Sequence, residues 1–149
     1  MLEDALRVSW RIMDRTTLQE LSKVRLKEAR ALVGAGLFDG GYYLAGYSVE
    51  CALKACIARG TRRFEFPDKK KVETSYSHNL RDLIRVAGLE DARLDHAHHD
   101  PAFGTNWDVV QLWSEQSRYE RHGPESAHEL LEAIGERRHG VISWIKLHW

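Results

Sequence analysis

The sequence predicts an all-α fold, an up-and-down bundle of four main helices with short extra helices. Three observations carry that expectation. Apolar residues recur at helical spacing through several long stretches. The three prolines, Pro67, Pro101 and Pro124, all fall between those stretches, where helix boundaries put them. No stretch alternates apolar and polar residues between Asn-Gly or Asp-Gly hairpin turns, and Asp39-Gly40 lies between two helical patterns.

Each element follows in chain order. Residues 1–14 read as a short helix with Leu2, Leu6, Trp10 and Met13 on one side. Residues 17–33 carry Leu18, Leu21, Leu26, Ala29, Leu32 and Val33, and Gly34 and Gly36 stop that helix. Asp39 is the expected N-cap of a second helix at about 40–59, ended by Gly60. Its apolar residues, from Tyr43 and Leu44 to Ile57 and Ala58, cover most of the circumference, which predicts a central, buried helix. Cys51 and Cys56 are five residues apart on it and point away from each other, so they read as reduced, buried thiols.

Residues 60–76 read as a basic loop, with Arg62-Arg63 and Lys69-Lys70-Lys71 interrupted by Glu65, Asp68 and Glu73. Ser77 is expected to cap a third helix with Leu80, Leu83, Ile84 and Ala87 inside, closed by Gly88. Residues 89–105 read as irregular, and Asn106 to Ser114 as a short helix carrying Trp107, Val110 and Trp113. From Pro124 the pattern Ala127, Leu130, Leu131, Ile134, Arg138, Val141, Ile142, Ile145 predicts one long amphipathic helix to residue 149.

Composition bounds the function. A chain of 149 residues reads as a single domain over 1–149, with its core at about 17–147, large enough to need no disulfide or metal staple. Hydrophobic residues at 43% and charged residues at 30% exclude disordered and collagen-like classes. No run approaches the roughly 18 apolar residues of a membrane span, and residues 1–5 lack the basic start of a signal peptide. Lys plus Arg equals Asp plus Glu at 22 each, which excludes a strongly cationic duplex-binding class and leaves room for a local basic patch.

Tyr43, Tyr47, Glu50 and Lys54 recur at spacings of four, three and four, which puts them on one stripe of the buried second helix. Glu50 and Lys54 form an i, i+4 pair in the favourable order. Charges among apolar neighbours need partners, and Arg118 is the expected partner of Glu50 across the bundle. His78 reads as a helix-start residue whose imidazole can contact a phosphate. Trp107 and Trp113 read as core or interface aromatics, with base stacking as the alternative. His96, His98, His99 and Asp100 have metal-ligating chemistry but no second cluster at a defined spacing, so they read as a surface loop. No metal and no other cofactor is expected.

Three of these segments, in this order, carry a resemblance. The run from Tyr43 to Ala55, the run Ser77-His78-Asn79-Leu80-Arg81-Asp82-Leu83, and the run Trp113-Ser114-Glu115-Gln116-Ser117-Arg118-Tyr119 resemble HEPN domains (higher eukaryote and prokaryote nucleotide-binding). Order and spacing agree from about residue 22 to residue 147. The resemblance implies a helical bundle that forms two-fold dimers in the bacterial or archaeal cytoplasm. It implies a nucleotide- or nucleic-acid-binding module, or one that pairs with a minimal nucleotidyltransferase in a two-gene unit of toxin–antitoxin type. Tyr47, Glu50, Lys54, His78, Arg118 and Tyr119 would be its polar centre.

Other members are metal-independent endoribonucleases with an Arg-x(4–6)-His motif near the start of the last helix. Arg118 to His122 is too short for that motif. Arg121 to His128 has six intervening residues at the expected place, while Arg93 to His98 or His99 comes too early. Arg would hold the scissile phosphate and His would move the proton. A dimerisation scaffold, whose polar groups only fix the packing, is the third expectation.

Overall fold

A computed structural model describes residues 14–60 and 69–149; the expected helix at 1–14 and Arg62, Arg63, Glu65 and Asp68 lie outside them, apart from Asp14. The described residues form eight α-helices and one 3₁₀ turn, with no strand among them. They are α1 (Arg15–Gly34), α2 (Phe38–Arg59), α3 (Lys69–Ser75), α4 (Leu80–Val86), α5 (Glu90–His99), α6 (Pro101–Val110), the turn Glu115–Tyr119, α7 (Pro124–Gly135) and α8 (Val141–Ile145). The all-helical bundle is the fold the sequence predicts.

Asp14 caps α1, its carboxylate accepting from the Thr17 N–H at 2.7 Å. Gly36 ends it at φ +79°, and the Leu37 N–H reaches the Leu32 carbonyl at 2.8 Å. That turn needs a left-handed residue, which glycine adopts without strain. It folds α2 back along α1, and the two share the largest helix–helix interface among the described residues.

α2 is the centre, as its all-round apolar surface predicts. Ala45, Val49, Ala52 and Leu53 are sealed from solvent and meet Leu83, Ile84, Phe103, Trp107, Leu130, Ile134 and Ile145 in one core. Cys51 and Cys56 are free and buried, and burial pushes both thiols up to about 12.

Several boundaries differ from expectation, each for a physical reason. Leu37, not Asp39, occupies the start of α2 and offers no side-chain cap. Asp39 sits one step inside the helix, where its carboxylate accepts from the His122 N–H instead. Asn79, not Ser77, caps α4, accepting from the N–H groups of Arg81 and Asp82 at 3.0 and 3.2 Å. The Ser77 hydroxyl, two residues upstream, accepts from the Asn79 N–H.

Lys69–Ser75 is helix rather than loop, helped by Thr74 and Ser75 hydroxyls donating back to Lys70 and Val72 carbonyls. Residues 90–110 are two helices rather than irregular chain. Asp100 starts the second, accepting from the Phe103 N–H at 3.2 Å with Pro101 in the first turn. α6 ends at Val110, so Trp113 lies beyond it. The expected long last helix breaks after Gly135: the Glu136 carboxylate takes the N–H groups of Arg138 and His139, and α8 restarts at Val141.

Candidate functional site

The stripe on α2 is real, and the chain after α6 covers it. Gly46 has no side chain to keep Trp113 away, and a Cβ there would overlap the indole ring. Trp113 therefore lies flat on α2, its ring 5.9 Å from that of Tyr43, which is 6.0 Å from Tyr47. With Trp113 anchored, the turn Glu115–Tyr119 follows directly over α2. The start of α4 brings His78 to the same place from the other side.

Glu50 is the hub. It is only 2% exposed, so its charge must be met by protein groups. Lys54 Nζ stands 3.4 Å from Oε2, and His78 Nδ1 stands 2.9 Å from Oε1. A carboxylate can only accept, so Nδ1 of His78 carries the proton and donates. The other ring nitrogen, Nε2, faces Glu115 Oε2 at 3.3 Å, and that oxygen lies 3.9 Å from Arg118 Nη2. Lys54, Glu50, His78, Glu115 and Arg118 thus form one chain of polar contacts from the interior to the surface.

Arg118 is the expected partner of Glu50 that the structure places elsewhere. It pairs with Glu115 and packs 5.1 Å from the ring of Tyr119, which is 75% exposed. His78 takes the place expected for Arg118, because the loop before α4 brings its imidazole within reach of the buried carboxylate. Glu115 is the member sequence reasoning missed; its i, i+3 spacing from Arg118 was the only local signal. Tyr47 is half-buried, and burial, then the nearby Cys51 and Glu50, raises its phenol above the usual range. Among the described residues, Trp113 Nε1, Ser117 Oγ and His122 Nε2 are buried with no hydrogen-bond partner, and Ser117 lies within the turn.

Arg121 and His128 come to the first turn of α2. Arg121 is 94% exposed and its Nε binds Asp39 Oδ2 at 2.7 Å. The His128 ring lies 6.0 Å from that of Phe38, the residue before Asp39. The His122 N–H, and then the Arg121 guanidinium, hold the Asp39 carboxyl below its ordinary range. The His122 ring stacks on Tyr42 at 3.6 Å. Asp39 therefore neutralises the cation that would hold a phosphate.

Arg93 and His98 are not assembled. Arg93 grips Glu90 through two bonds of 2.8 and 3.2 Å and lies over Trp107, while His98 is exposed beside His99. His96 packs on Phe103, and His99 turns to the Asp95 carbonyl. Asp100 instead accepts from His139 at 2.8 Å. Among the described residues no group of three or more His, Cys, Asp or Glu is placed to hold a metal. Trp107 and Trp113 are core residues, so neither is a stacking platform. Among the described residues no helix is long and apolar enough to cross a membrane.

No family model, no curated protein and no solved structure matches this chain.

Proposed function

We propose that this chain is a HEPN-like, homodimeric cytoplasmic module that binds nucleic acid or nucleotide through its Arg118–Tyr119 edge, of the kind that serves a minimal nucleotidyltransferase in a toxin–antitoxin type pair. The observation that carries the reading is the placement of His78. Both of its ring nitrogens face carboxylates, Glu50 on one side and Glu115 on the other. Neither is free to take a proton from a substrate, so this polar centre positions groups rather than transferring protons. What it positions is a turn that ends in an exposed guanidinium beside an exposed aromatic ring. That pairing suits a phosphate and a base together.

Fluorescence anisotropy with a labelled single-stranded RNA tests it. Tyr119→Ala and Arg118→Gln are expected to weaken binding about tenfold each, since one stacked base is worth about 1–3 kcal/mol. Binding unchanged in both variants, or absent in the wild type, would remove the edge from the account.

One observation favours ribonuclease activity as a second reading: Arg121 and His128 meet at adjacent residues of α2. Cleavage of the same RNA in excess EDTA, lost in Arg121→Ala and in His128→Ala, would establish it. Binding without cleavage would leave the first reading alone.

A further inference from the structure

Away from the α2 stripe, α4, α5 and α6 border a small, partly open polar cavity of about 160 Å³. Arg81, Arg85, Arg93, Glu90 and Gln111 line it, with the buried Trp107 as its apolar wall. Three guanidinium groups therefore face one carboxylate. That carboxylate is already held by Arg93, which binds both Glu90 oxygens. Arg81 and Arg85 are four residues apart on one face of α4, an arrangement that repels unless an anion sits between the charges. Arg85 has one long contact of 3.7 Å to Asp82, and the Arg81 guanidinium has no partner among the described residues.

The size limits the ligand. Small-molecule sites run from about 300 Å³ upward, and a single water needs only about 10–15 Å³. The cavity thus suits a hydrated tetrahedral oxyanion and is too small for a whole nucleotide. Arginine forks match such oxyanions in geometry as well as charge. Arg85 also borders a wider groove of about 650 Å³ lined by Lys70, Lys71, Thr74 and Asp82. The basic tract therefore runs on past the cavity along α3 and α4.

We propose that the Arg81–Arg85–Arg93 cavity is a binding site for a phosphate group. The site is separate from the Arg118–Tyr119 edge and does not depend on that reading. Calorimetry at fixed ionic strength, with inorganic phosphate and with a short single-stranded oligonucleotide as probes, tests it. Arg81→Gln and Arg85→Gln are both at exposed positions and should leave the melting temperature unchanged. Each is expected to weaken binding at least about tenfold, the worth of a charge-assisted hydrogen bond. Lys27→Gln, an exposed charge on α1, should change nothing.

A response to inorganic phosphate would make the ligand a free or terminal phosphate. A response to the oligonucleotide alone, lost in both arginine variants, would make it a backbone phosphate. No response of the wild type to either probe would overturn the site, as would equal weakening by all three variants, which would mean general charge attraction only.

Discussion

Glu50 shows what one buried carboxylate demands of its neighbours. It keeps Lys54 and His78 within 3.4 and 2.9 Å, and losing it would strand a nearly buried ammonium. Glu50→Ala is expected to cost about 2–3 kcal/mol in urea unfolding, toward the lower end for a broken buried pair because His78 is partly solvated. A double-mutant cycle of Glu50→Gln with His78→Gln should show coupling of about 1 kcal/mol. The same cycle with Arg118→Gln should be additive within about 0.5 kcal/mol, since Arg118 bonds Glu115. Strong coupling between Glu50 and Arg118 would refute this arrangement. From the sequence, the Glu50–Lys54 pair was legible because it is local. The Glu50–His78 bond, spanning 28 residues, had no local signal.

At the scale of elements, the contact of α2 with Trp113 decides where the turn Glu115–Tyr119 lies. Gly46 is small enough for the indole to sit against the helix backbone, and Tyr43 closes it from the side. Gly46→Ala is expected to destabilise by about 2–3 kcal/mol, read from thermal or urea unfolding, because the ring has no room to move away. A helix-stabilising effect of alanine, the ordinary result at an open helical position, would show that Trp113 does not pack there. The elements misjudged from sequence have two causes. α5 buries no residue, so its apolar spacing is weak, and the His-rich composition hides it. The break after Gly135 is invisible to periodicity, because Val141, Ile142 and Ile145 return to the core in the same rhythm. The Glu136 carboxylate, by capping the N–H groups of Arg138 and His139, marks the interruption, and Gly140 fits where a side chain would overlap the Glu136 backbone.

At the scale of the whole molecule, carboxylates among the described residues fasten connections between helices. Asp39 holds the segment before α7 through the His122 N–H, Asp100 joins α6 to His139, and Glu136 shapes the α7–α8 link. All three are held below their ordinary values of 3.8, 3.8 and 4.5: Asp39 by the His122 N–H, Asp100 by His139, and Glu136 by the N–H groups of Arg138 and His139. A carboxyl lowered by folding contributes stability above its ordinary value and loses it as pH falls through its folded value. Unfolding free energy should therefore fall as pH drops below about 4.5, with the Asp39→Asn variant falling less steeply. Equal slopes for the variant and the wild type would exclude Asp39 as a contributor.

The amino-acid sequence by itself determined the helical class, the central place of α2, the stripe of Tyr43, Tyr47, Glu50 and Lys54, and the glycine stops at Gly36 and Gly88. These follow from spacing and from residue-level backbone preference, which act over a few residues. The tertiary structure alone decided which charges distant in sequence meet. It put His78 rather than Arg118 on Glu50, paired Arg121 with Asp39, and gathered Arg81, Arg85 and Arg93 around one cavity. Partners in these ion pairs belong to different helices or loops, and packing of apolar faces, not sequence distance, sets which of them come within a few ångströms.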